Sequence, residues 1–328
     1  MSSGERPSRW KRAWRVVKLS VRLGTRMGLV TVKKLLIVMV PVIVAVTVLE
    51  GFDLLGHVAG IFAPVMRFLG LPGDAALVYL SGAVVSIYSA VAVAANVALT
   101  VKQMTVLAVL CLVCHGLPVE CAVQRQAGTG VRTMVAVRVV TAFLAAFLLG
   151  RLIPETPKWT QLAARAQTRI VETPTFREFL QPRLVKNGWF LLKLVVIVMV
   201  LMILMELLRQ TGVLRVLAVL MRPLTWLAGI PASTGFTVLT SMTIGLAFGA
   251  GTVIAEAKRG HLSREEQFRT NVFIGTTHSL FEDTVYFAIL GASVPWIVVS
   301  RLIIGCVAVR IFSLARRVYL KRFARDEV

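Results

Sequence analysis

The stretch THSLFEDTVYF, residues 277 to 287, sets His278, Glu282 and Asp283 inside an apolar segment running from Val272 to Leu290. Such a segment reads as part of a membrane helix. A charge at mid-bilayer costs about 2.5–3.5 kcal/mol, so three ionisable groups there demand partners or water. In a continuous helix His278 and Glu282 share a face at i,i+4, with Asp283 about 100° further round.

The pattern has a counterpart earlier in the chain. At an offset of 163, His115 falls on His278, Leu117 on Leu280, Glu120 on Asp283, Gly128 on Gly291, Val131 on Val294 and Arg138 on Arg301, with no gap. Upstream the offset becomes 159, where Pro72 meets Pro231 and Leu80 meets Leu239. Apolar coincidences are cheap in such a sequence, but a coincident His, carboxylate, Arg and Pro are not. The chain therefore reads as a duplication.

Composition agrees with a membrane setting. The 328 residues are 57% hydrophobic, with uncharged runs such as Ala75–Val101 and Pro223–Ala255. Runs above about 18 apolar residues argue for membrane spans. The net charge of +21 gathers at the N-terminus, in the central linker and at the C-terminus, beside apolar spans. That placement matches the positive-inside bias and contact with anionic lipids; no aromatic-basic interleaving points to nucleic acid as a partner. The expected place is a bacterial inner membrane with cytoplasmic basic termini, and a homo-oligomer is compatible with the sequence. The long basic stretch before Leu35–Leu49 and the lack of a small-residue cleavage site predict that the first span is retained rather than removed as a secretory signal.

The expected fold class is an all-α polytopic membrane protein, a duplicated helical bundle of two repeats with about five helical segments each and room for re-entrant hairpins. The predicted organisation is a basic tail at 1–34, a first repeat at 35–150, a polar linker at 151–187, a second repeat at 188–313 and a basic tail at 314–328. Within the repeats the predicted order is an apolar helix (35–50; 189–208), an amphipathic helix (54–71; 211–229) and a small-residue segment (75–98; 233–255). A motif helix (103–119; 270–290) and a last helix with one Arg (133–150; 294–313) complete each. The charge clusters favour parallel repeats, while re-entrant segments would favour inverted ones.

The candidate site for a solute or ion comprises His278, Glu282, Asp283, His115 and Glu120, joined by Gly249, Gly251 and Asn96 from the small-residue segments. Three glycines in GLAFGAG, residues 245 to 251, weaken a regular helix by about 1 kcal/mol each, and allow an unwound turn or a close helix approach. The alternative for the charged groups is structural: buried ion pairs with Arg138, Arg301 or Arg269. No cofactor is expected, although His278, Glu282, His115 and Glu120 are donors that suit a divalent metal. Cys111, Cys114 and His115 match the C-x-x-C-H haem-attachment spacing, but their apolar flanks favour buried packing. Ser263 and Glu266 form an S-x-x-E capping box that opens the helix leading into the motif, and His261 reads as a loop residue. No hydrolase elbow, zincin helix or nucleotide-binding loop occurs, so catalysis is not expected.

Over Thr243 to Ala292, TIGLAFGAGTVIAEAKRGHLSREEQFRTNVFIGTTHSLFEDTVYFAILGA, the chain resembles the nucleoside-recognition, or Gate-domain, membrane proteins. That group includes spore-maturation membrane proteins and the membrane part of ferrous-iron transporter B. The resemblance implies a duplicated helical bundle that translocates a solute or ion. The competing expectation is a non-transporting scaffold or partner-binding protein whose polar groups glue helices together.

Overall fold

The computed structural model describes residues 9–51, 54–155, 176–246, 254 and 262–326, and among these all regular structure is helical. The first half holds α1 (Arg9–Gly51), α2 (Leu54–Phe68), α3 (Ala75–Val84), α4 (Ile87–Ala94), α5 (Val101–Val113), α6 (Leu117–Gln126) and α7 (Val131–Leu152). The second holds α8 (Phe176–Gln210), α9 (Val213–Leu220), α10 (Arg222–Ala228), α11 (Gly235–Ile244), α12 (Arg264–Thr277), α13 (Glu282–Ile289) and α14 (Val294–Asp326). The linker residues 156–175, and Gly249, Gly251 and His261, lie outside the described residues.

Among the described residues four helices are long and apolar enough to cross a membrane: α1, α7, α8 and α14; α5 and α6 together would make a fifth, bent by 41°. Their outer faces carry apolar stripes at helical spacing, such as Leu144 and Leu148 on α7, Val196 and Val200 on α8, and Ile303, Val307 and Ile311 on α14, all exposed. A stripe of that kind on the outside of a bundle is a surface for lipid. The chain is a polytopic membrane protein, and its described residues form only helices.

The centre of the bundle is α5, buried without interruption from Met104 through Val113 and touching α3, α7, α12, α13 and α14. Across the molecule α1 lies along α8. Small residues permit that approach: Ser20 is buried, and a Cβ added at Gly24 or Gly28 would meet Ile203 Cα at 2.5 Å or Met199 Sδ at 2.7 Å.

Several boundaries differ from expectation. Helix α1 begins at Arg9 rather than Leu35, since nothing between them breaks a helix and Arg and Lys are good helix formers. Likewise α8 begins inside the expected linker and α14 runs through the expected C-terminal tail. The segment 75–98 is two helices separated at Val85–Ser86, and 211–229 is two short helices. The largest correction concerns the motif helices. Each breaks at its histidine, so His278 and Glu282 do not share a face of one helix.

The halves correspond in detail. The capping box of Ser263 and Glu266 opens α12, and at the 163 offset Thr100 and Gln103 form the same box at α5. Left-handed backbone recurs in register: Gly70 with Gly229, Gly128 with Gly291, and Gly116 (φ 53°) with Ser279 (φ 49°). The last pair lies at the two helix breaks. Gly116 N–H donates to Gly82 O and Ser279 N–H to Ser241 O, each at 2.9 Å, which ties each break to the end of α3 or α11.

Candidate functional site

A helix that stops inside a membrane leaves carbonyls without partners at its C-terminus and concentrates partial negative charge there. Arginines satisfy both ends here. Arg138 on α7 donates Nε to Val113 O at 2.9 Å and Nη2 to His115 O at 2.8 Å. Arg301 on α14 donates Nε to Thr276 O at 3.3 Å and Nη2 to His278 O at 2.7 Å, and also reaches Leu112 O at 3.2 Å. Both arginines are fully buried.

The helices that restart after the breaks, α6 and α13, carry acids in their first turns: Glu120 in α6, and Glu282 and Asp283 in α13. Positive helix ends favour carboxylates at those positions. The two breaks then bring the acids and histidines of both halves together. His115 Nε2 lies 3.1 Å from Glu120 Oε1 and 3.5 Å from Asp283 Oδ2; His278 Nε2 lies 3.1 Å from Glu120 Oε2. The two imidazoles face each other with Nε2 atoms 3.3 Å apart. Arg138 closes on Glu120 Oε2 at 2.6 Å.

The cluster forms one wall of a cavity of about 540 Å³. His115, Glu120, Glu282 and Asp283 line it together with Ser86 at the α3–α4 break, Tyr88 of α4, and Arg26 and Lys34 of α1. Glu282 accepts a hydrogen bond from Tyr286 Oη at 2.7 Å. The lining thus carries acids from α6 and α13 and bases from α1, among apolar residues such as Val30, Val85 and Leu246.

Five of the eight expected site residues meet here: His115, Glu120, His278, Glu282 and Asp283. His278 is the most enclosed of them, behind the cavity wall rather than on it. Asn96 is a correction. Its Nδ2 donates back to Ala92 O at 3.1 Å just past the end of α4, so the amide serves the helix terminus and not the cavity. Gly249 and Gly251 lie outside the described residues; their neighbour Gly245, at φ 89°, ends α11 at the cavity.

The three ion-pair alternatives resolve as well. Arg138 does pair with Glu120, Arg301 bonds to carbonyls and forms no ion pair among the described residues, and Arg269 pairs with Glu265 at 3.0 Å, away from the cluster. Cys111 and Cys114 are buried free thiols, with Cys114 Sγ 3.5 Å from Tyr79 Oη.

Sequence reasoning missed Tyr88, Ser279 and Tyr286. Of these, Tyr286 carried a usable signal, because it follows Glu282 by four residues. Ser279 carried none, since serine does not announce a left-handed turn.

Comparison with known proteins now adds a family. The Gate family, described as nucleoside recognition, matches residues 32–128 and 191–293, one region in each half. The chain belongs to the Gate family. The two Gate regions include both histidines and every acid of the cluster, and stop short of Arg138 and Arg301. A protein named "Uncharacterized membrane protein YvoD", from Bacillus subtilis (strain 168), is 30% identical over 260 residues, covering 78% of this chain and 82% of its own length. No solved structure matches this Gate protein.

Proposed function

We propose that this Gate protein is a transporter of the bacterial cytoplasmic membrane, moving a small solute or ion through the cavity between its two halves. One observation carries the reading: carboxylates and a histidine from both halves line a single cavity of about 540 Å³ within a membrane bundle. Buried ionisable groups are costly in a bilayer and occur where a pathway or a pairing needs them. Broken helices at such a cavity present backbone dipoles to a ligand, which is how membrane transporters hold polar cargo without continuous water.

In this reading Glu282 and Asp283 contact the cargo, His115 and Glu120 complete the acidic wall, and no catalytic step takes place. Proton or cation coupling through these groups supplies the energy. The basic termini face the cytoplasm, where exposed Arg22 and Lys33 on α1 meet anionic headgroups. The family's description, nucleoside recognition, makes nucleosides the first class of cargo to test.

A second reading rests on the Arg138–Glu120 pair at 2.6 Å. Such a pair glues helices, and a scaffold would need nothing more. The double substitution Glu282→Gln with Asp283→Asn separates the two. In reconstituted vesicles it should abolish flux of any solute that stabilises the wild type in a thermal-shift screen of nucleosides, divalent metals and organic anions, with membrane expression unchanged. Intact flux sinks the transport site, and a fall in thermal stability with no stabilising solute for the wild type favours the scaffold.

A further inference from the structure

The cluster between the two breaks contains more acceptors than hydrogens to satisfy them. His115 Nδ1 lies 3.2 Å from Cys111 O, and His278 Nδ1 lies 3.1 Å from Ile274 O. A carbonyl only accepts, so both Nδ1 atoms carry the proton, and in the neutral rings both Nε2 atoms present lone pairs. Those lone pairs face each other at 3.3 Å and also face both oxygens of the Glu120 carboxylate at 3.1 Å. Asp283 Oδ2 is buried beside them, 3.5 Å from His115 Nε2, with no hydrogen-bond partner. Two lone pairs and two carboxylates converging in a bundle interior repel one another unless a proton or a cation sits among them.

We propose that His115, His278 and Glu120, with Asp283 as a further donor, bind a divalent transition-metal ion that bridges the two halves. The donor separations fit such an ion. Metal–nitrogen and metal–oxygen bonds of about 2.0–2.2 Å at tetrahedral angles place neighbouring donors about 3.3–3.5 Å apart. The observed separations of 3.3 and 3.5 Å fall in that range and the two of 3.1 Å lie just under it. The Nδ1–H bonds to Cys111 O and Ile274 O orient each imidazole and fix its tautomer, as the outer partners of metal-bound histidines do. Arg138, bonded to His115 O and to Glu120, holds the carboxylate in place from outside.

The donor set differs from the one the sequence offered. Glu282 is turned to Tyr286 and replaced at the cluster by Asp283. Imidazole donors select zinc, cobalt and nickel over magnesium and calcium. First-half His115 and Glu120 and second-half His278 and Asp283 would share one ion, so the site goes beyond the transport reading and does not depend on it.

The test uses the full-length chain purified in detergent and stripped with a chelator. Titration with Co2+ and Zn2+ should give one saturable ion per chain, a rise in melting temperature, and for Co2+ the intense visible absorption of a four-coordinate site; Mg2+ should give none of these. His278→Gln and Glu120→Gln should each weaken binding at least tenfold, while Glu265→Gln, at a surface acid far from the cluster, should change it less than twofold. Should a cluster variant fail to fold, the wild-type Co2+ spectrum decides the matter. The proposal is overturned if no ion binds saturably, if the Co2+ spectrum is that of a six-coordinate aqueous ion, or if both cluster variants bind as the wild type does. Flux is not read in any arm, so ion binding without flux leaves this site standing while the transport reading fails, and flux without ion binding does the reverse.

Discussion

In the first half of the molecule Arg138 holds two carbonyls of the broken helix and closes on Glu120 at 2.6 Å. In the second half Arg301 holds the corresponding carbonyls, but among the described residues it forms no ion pair, and its Nη1 is buried without a hydrogen-bond partner. Asp283, the counterpart of Glu120, also keeps an unpartnered oxygen, and Glu282 stands where the first half has Val119. The charged groups recur in both halves, but their pairing does not. One half neutralises its acid with its own arginine, and the other leaves Asp283 at the cavity without such a partner.

The largest expected effect would test that difference. Arg138→Gln strands a buried carboxylate and should cost about 3–5 kcal/mol. Arg301→Gln removes hydrogen bonds from a charged donor without stranding a paired acid, and should cost about 1.5–3 kcal/mol. Unfolding in detergent, followed by circular dichroism, would compare the two. Equal losses would break the contrast between the halves.

A smaller effect concerns the cavity-facing ends of α3 and α11. Ser86 is extended at φ −173°, a conformation open to any residue, whereas its counterpart Gly245 sits at φ 89° and ψ 169°. A Cβ at Gly245 would also lie 2.8 Å from Ser279 Oγ. Gly245→Ser should therefore cost about 1–3 kcal/mol, and the reverse exchange Ser86→Gly only a few tenths, roughly what a lost serine cap costs when glycine replaces it. Similar losses from the two exchanges would mean that the ends of α3 and α11 are closer in conformation than their dihedral angles indicate.

The smallest effect has opposite signs in the two halves. Ser279 pays for a left-handed turn that Gly116 makes freely. Gly116→Ser should lower stability by about 1 kcal/mol and Ser279→Gly should raise it by about 0.5 kcal/mol, the gain reduced by glycine's greater freedom in the unfolded chain. Melting temperatures of the two variants, measured side by side, sharpen the comparison if they move in opposite directions and weaken it if they move together.

Much of the plan was legible because duplication leaves chemical coincidences. His115 with His278, Glu120 with Asp283 and Arg138 with Arg301 could be matched by offset alone, and all six meet at the two breaks. The breaks themselves were hidden. An apolar run with one polar residue looks like a helix at every position, and Ser279 adopts φ 49° only because Ser241 O and Arg301 hold the turn from outside. Helix α1 was under-read for a related reason: charge marked residues 1–34 as a tail, yet charge does not stop a helix, and Arg26 and Lys34 reach the cavity from within it. Asn96 was misplaced because proximity to a helix end outweighs polarity.

The arginine-held breaks also constrain how the bundle can move. Each guanidinium replaces the water that an interrupted helix would otherwise require, and letting go would strand several carbonyls in a dry interior at once. Such posts do not flex. Under the transport reading proposed above, any rearrangement that admits a molecule from one side of the bilayer and releases it on the other has to turn about this centre as about a fulcrum, leaving both clasped breaks in place.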